Sequence, residues 1–220
     1  MIASPPRRMG NHMRSLTLTF LTLLICWGPT PSNADSKKLR VVTYGTSLTA
    51  TGRWQRALQD ELRRCWGPNV AVINKASNAK GSTWGLANVS TVVEAQPDIA
   101  IVEFAMNDAR LTGGSSLDES RDQTKEIVAA IKSANPAAAV FLMTTPAVRG
   151  KRIATRPHLN DYYQMYRDLA ASGVAGLIDS QPAWSGVPDS DIPDGVHPTP
   201  DAHRAVTVPA IVHALAPECR

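Results

Sequence analysis

Short aliphatic runs alternate with longer segments of helical period along this chain, and that alternation constrains its fold more than any other feature. Leu39–Tyr44, Val70–Ile73, Asp98–Phe104, Ala139–Met143 and Gly176–Asp179 have the length and β-branched content of strands. Between them, Trp54–Arg64, Leu86–Glu94, Leu117–Ser133 and His158–Ala171 read as helices. In the first of these, Trp54, Ala57, Leu58 and Leu62 share a face; in the third, Ile127, Val128 and Ile131 do. Thr199–Leu215 closes the series, with Pro209 expected to kink or split it. Strands separated by helices imply an α/β fold, with a five-stranded parallel sheet covered on both faces.

The start of the chain reads as a leader rather than as fold. Arg7, Arg8 and Arg14 precede the apolar run Leu16–Trp27; Gly28, Pro29 and Pro31 follow, and then the small residues of Ser32–Ala34. A charged start, a short apolar middle and a small-residue cleavage site make a secretory signal. The apolar run is too short to span a bilayer comfortably. The expectation is a signal peptide over residues 1–34 and a single domain over 35–220, secreted or periplasmic. Met9 and Met13 are alternative starts, and Ile25 before Cys26 fits lipoprotein processing poorly. Three of the 23 basic residues lie in the leader and none of the 19 acidic ones, so its removal leaves a nearly neutral chain. No long basic run calls for nucleic acid or an anionic membrane surface, and stable membrane association after cleavage is not expected. A monomer is expected.

Cys65 and Cys219 survive cleavage. In an oxidising compartment such a pair often forms a disulfide, the alternative being two unrelated thiols. The chain has no CxxC, no HExxH and no Cys/His cluster at zinc spacing, so neither a metal nor a cofactor is expected.

In parallel sheets ligands bind beyond the carboxyl ends of the strands. The segments that follow the strands are GTSLTA, NKASNAKGSTWG, AMNDAR, TTPAVRG and the long loop Gln181–Pro200, which contains DGVHP. Four of the five are rich in Ser, Asn, Asp, His or Gly. Ser47 sits just past the first strand and reads either as a helix N-cap or as a nucleophile beside a helix N-terminus. A serine needs a base, and the base an orienting group. His197 lies in a rim loop with Asp194 three residues earlier. His203 and His213 read as ordinary helix histidines and His158 as exposed. Oxyanion donors are available from the Ser47 backbone, the Asn107 side chain (unless Asn107 only forms a turn) and the Asn74–Gly85 loop.

Taken in order, GTSLTA, N-x-A-x-N-A, AMND and DGVH resemble the four blocks of the SGNH (GDSL-type) hydrolases, across nearly the whole chain after the leader. The resemblance implies a three-layer α/β/α sandwich. It implies Ser47 as nucleophile, His197 as base, Asp194 as its orienter and Asn107 as oxyanion donor. Thr46 stands where the family name has Asp, and Ala105 where Gly is usual. The family's oxyanion glycine lies five residues after the block's Asn; counting from Asn74 reaches Ala79, with Gly81 two further on as the alternative.

The expected function is a secreted serine esterase. GSTWGL and EFAMNDA resemble branches that include carbohydrate acetylesterases, which points to short acyl groups on a carbohydrate or similar polar alcohol. The alternatives are a lipolytic esterase, thioesterase or lysophospholipase, and a non-catalytic carbohydrate-binding module on a hydrolase fold. An aromatic content of 5% and the lack of an apolar lid weigh against long acyl chains.

Overall fold

In the computed structural model, residues 1–4 and 38–219 are described; the leader's apolar run and its Ser32–Ala34 site lie outside them. The strands are β1 (Leu39–Gly45), β2 (Val70–Asn74), β3 (Ile99–Glu103), β4 (Ala139–Met143) and β5 (Gly176–Ile178). They form one parallel sheet in the order β2-β1-β3-β4-β5. The helices are α1 (Ser47–Ala50), α2 (Gln55–Trp66), α3 (Ser82–Ala87), α4 (Ser90–Glu94), α5 (Ala105–Asp108), α6 (Leu117–Ala134), α7 (Leu159–Ala171), α8 (Pro200–Ala202) and α9 (Val208–Leu215). Among the described residues no helix is long and apolar enough to cross a membrane.

Side-chain alternation along the strands builds the layers. Val41 and Ile101 face Trp54, which caps α2, Leu58 and Leu62 of α2, and Ile211 of α9. Their neighbours Val42, Ala100 and Val102 face the other way, into a core with Ile127, Val128 and Ile131 of α6 and Tyr163 and Tyr166 of α7. The result is a three-layer α/β/α sandwich. On the α2/α9 side, Cys65 and Cys219 come within disulfide reach, their Cα atoms 5.5 Å apart.

Two helices differ from expectation. The segment read as Leu86–Glu94 begins at Ser82 and breaks at Asn88, whose side-chain amide donates to the Trp84 carbonyl at 2.9 Å and competes with the helical ladder. The last helix is broken earlier than at Pro209, by a π-helical turn over His203–Thr207. Pro209 has no N–H for the Ala205 carbonyl, and the chain widens just ahead of it.

The sheet order reverses between β1 and β3. The two loops that leave these strands, carrying Ser47 and Asn107, therefore flank the crevice where ligands bind in open α/β sheets.

Candidate active site

Gly45 ends β1 because a side chain cannot fit there. A Cβ would lie 2.4 Å from the Glu103 carbonyl and 2.8 Å from its carboxyl. The next residue, Thr46, is the N-cap of α1, its hydroxyl accepting the Leu48 N–H at 3.2 Å. Capping therefore falls to Thr46 and leaves the Ser47 hydroxyl uncommitted to the backbone. α1 is only four residues long, and its carbonyls are satisfied from outside. Leu48 O accepts from Trp54 Nε1, Thr49 O from Gln55 and Asn74, and Ala50 O from Asn74. The Asn that opens the second block thus anchors the turn bearing Ser47.

Ser47 Oγ lies 2.8 Å from His197 Nε2, and His197 Nδ1 lies 2.7 Å from Asp194 Oδ2. The other Asp194 oxygen accepts the backbone N–H groups of Val196 and His197. Burial works to raise the Asp194 carboxyl, but these bonds and the charge of His197 outweigh it and hold it at about 2. An ionised Asp194 accepts a hydrogen bond from Nδ1–H, and that tautomer leaves the Nε2 lone pair facing the Ser47 hydroxyl. The loop carrying both residues is steadied by a small core of Trp184, Ile192 and Ala202, and by the Arg149 N–H donating to Gly195 O at 2.9 Å.

The remaining histidines lie elsewhere. His203 is buried edge-on to Trp184, with Nδ1 2.9 Å from the Thr207 hydroxyl; burial, and secondarily the charge of His197, lowers it to about 4. His158 is exposed beside Asp161, and His213 is also exposed.

Ser47 and His197 line a cavity of about 460 Å³ with Ala79 and Asn107 on its walls. Asn107 Nδ2 donates to Lys80 O at 2.9 Å, and the Arg156 guanidinium lies 3.5 Å from Asn107 Oδ1, which orients the amide. Ser47 is the first residue of α1, so its own N–H has no acceptor within the helix. Ala79 has φ +59°, a left-handed backbone. Gly81 does not line the cavity; it caps α3, where a Cβ would lie 2.4 Å from Asp108 Oδ1. Such a set can generate a serine nucleophile and stabilise an oxyanion.

The profile of the GDSL-like lipase/acylhydrolase family matches residues 42–205. The chain belongs to this family. This GDSL-like hydrolase is accordingly an ester-hydrolysing enzyme. Comparison with curated proteins finds no match. Among solved structures, the Axe2 acetylxylan esterase from Geobacillus stearothermophilus superposes with TM-score 0.71 at 18% identity, over 82% of this chain and 95% of that one. A lipase/acylhydrolase from Enterococcus faecalis gives 0.66 at 23% identity, over 79% and 95%. TesA gives 0.65 at 19% identity, over 81% and 98%. At these identities the likeness is one of fold.

Among the described residues, the group of His, Cys, Asp or Glu side chains close enough to share a metal ion is Cys65, Glu218 and Cys219, not a group at Ser47. Two features of the hydrolase's site went unread in its sequence. Glu103 lies at the end of a buried strand, and its carboxyl accepts from Thr46 and Thr49; its signal was a lone acid in the apolar run Ile99–Phe104. Arg110, Arg152 and Arg156 also line the cavity; the signal for two of them was the acid-free stretch RGKRIATR, Arg149–Arg156.

Proposed function

We propose that this enzyme removes short acyl groups, acetyl foremost, from a carbohydrate or similar polar alcohol, through an acyl-enzyme on Ser47. The carrying observation is the continuous relay from the Ser47 hydroxyl through His197 to an ionised Asp194. Ser47 attacks the ester carbonyl while His197 Nε2 takes its proton; His197 then protonates the leaving alcohol, and water reverses the sequence. The N–H groups of Ser47 and Ala79 and the Asn107 amide stabilise the oxyanion. The cavity supports a short acyl group: of the residues lining it, Ala79 and Val196 alone are apolar, and a long chain would desolvate the hydroxyl, amide and guanidinium groups of the others. The leader over residues 1–34 supports export, and the Cys65–Cys219 juxtaposition suits an oxidising compartment.

A series of p-nitrophenyl esters from acetate to palmitate tests the reading, together with fluorophosphonate labelling. Ser47 should be labelled and acetate preferred. A maximum at long chains would favour a lipolytic esterase, and an unlabelled, inactive protein a binding module.

A further inference from the structure

Three guanidinium groups converge on the cavity that holds Ser47. Arg110 follows α5, and Arg152 and Arg156 come from the loop between β4 and α7. Among the described residues none of the three forms an ion pair, although Arg149 on the same loop does, with Asp189. Arg156 is 9% exposed, and its Nε donates to the Met106 carbonyl at 2.8 Å. Arg152 donates to the Asp194 carbonyl at 3.3 Å. Asp194, the carboxylate that faces this group, is already committed to His197. The repulsion is real: after burial, Arg110 and Arg152 are what lower the Arg156 guanidinium. Asp194 offsets part of this repulsion at Arg156, but three like charges with one shared carboxylate remain mutually unfavourable, and an anion brought among them is favoured. The cluster is not a product of overall charge, because beyond the leader the chain is nearly neutral.

We propose that the substrate carries a carboxylate close to the scissile ester, and that Arg110 and Arg152 bind it. This rests on the esterase reading above. Arg156 supports the wall through Met106 and Asn107, so it is a poor probe; among the described residues Arg110 makes no side-chain hydrogen bond, and it is the clean one.

Two matched pairs test the proposal. On the alcohol side, the O-acetylated methyl glucoside is compared with the O-acetylated methyl glucuronoside. On the acyl side, p-nitrophenyl butyrate is compared with the p-nitrophenyl hemisuccinate, after subtraction of spontaneous hydrolysis. At low ionic strength the wild type should prefer the anionic member of one pair by about tenfold or more in kcat/KM, and salt should shrink the preference. The pair that responds identifies the side on which the carboxylate sits. Arg110→Gln should cut the ratio mainly through KM, Arg110→Gln/Arg152→Gln should cut it further, and Arg110→Lys should restore it. Equal rates within both pairs, or a preference that survives the double variant, would overturn the proposal while the neutral esters still report esterase activity. Inactivity on all four esters with Ser47 unlabelled would overturn the esterase reading and this inference together.

Discussion

The buried carboxyl of Glu103 accepts both the backbone N–H and the hydroxyl of Thr46, the residue immediately before Ser47. Burial pushes Glu103 up to about 8, against the opposing hydrogen bonds from Thr46 and Thr49. At neutral pH the carboxyl is therefore largely protonated, and it fills the space that Gly45 leaves open. Glu103 positions the turn that carries Ser47 through Thr46 and Thr49.

A pH dependence of stability follows. The native carboxyl holds its proton up to about pH 8, whereas an unfolded one releases it near 4.5. Unfolding thus releases a proton in that window, and wild-type stability should fall as pH rises through it. His203, lowered to about 4 in the fold, has the opposite slope between there and 6.5, so the Glu103 effect should be clearest between 6.5 and 8. Glu103→Gln mimics the protonated acid and should flatten that slope in urea-denaturation midpoints while retaining activity. An unchanged slope in the variant would place the titration elsewhere, Asp108 being the other buried acid raised by burial.

Ser47→Ala and His197→Ala should each lower ester hydrolysis by about 10⁴–10⁶-fold with circular dichroism unchanged. Asp194→Asn should cost about 10²–10⁴-fold, because it favours the wrong His197 tautomer without removing the base. His203→Gln is the contrast. It removes a buried neutral ring that packs on Trp184, so it should lower stability far more than kcat. If His203→Gln alone were catalytically dead while folded, the base would be misassigned.

The strands were legible because buried parallel strands are contiguous apolar runs, and four loops announced the site because their polar residues cluster just after those runs. Thr46 and Ser47 were ambiguous, since either can cap a helix; only the pairing of Ser47 with a histidine 150 residues away separates them. The protonated Glu103 was hidden because propensity says nothing about what a carboxyl meets inside a sheet. The arginine cluster was hidden because Arg110 joins Arg152 and Arg156 only when two distant loops meet. The early break ahead of Pro209 followed from a missing hydrogen bond four residues upstream of the proline, a consequence felt away from the residue that causes it.

Cys65 and Cys219 should be bridged in exported protein. The bridge would close a loop of 154 residues between the C-terminal ends of α2 and the chain, and such constraints on the unfolded state are typically worth roughly 2–4 kcal/mol. Alkylation without reductant, followed by mass spectrometry, should find neither cysteine modified. Cys65→Ser/Cys219→Ser should unfold at lower urea with its activity per folded molecule retained. Two alkylated thiols in freshly exported protein would refute the pairing.

In the proposed mechanism Ala79 supplies a backbone donor where the resemblance leads one to expect glycine, and its left-handed φ of +59° is a conformation that glycine suits. An L-residue held there is strained by roughly 1–2 kcal/mol. Ala79→Gly relieves that strain, and the greater unfolded-state freedom of glycine offsets about 0.5–1 kcal/mol of the gain. The variant should be active and between neutral and about 1.5 kcal/mol more stable. Ala79→Pro is uninformative, because proline cannot adopt a positive φ and would displace the loop. The decisive change replaces Ala79 with lactic acid, which exchanges the amide N–H for an ester oxygen and keeps the methyl. Loss of one oxyanion donor lowers kcat by about 10²–10³-fold, and the lactic acid variant should fall in that range beside Asn107→Ala. Glycolic acid at Gly81 should cost far less, because Gly81 sits at the start of α3 against Asp108 and off the cavity wall. If the Gly81 ester were the slow enzyme and the Ala79 ester nearly wild type, with KM alike in both, the second backbone donor would be Gly81.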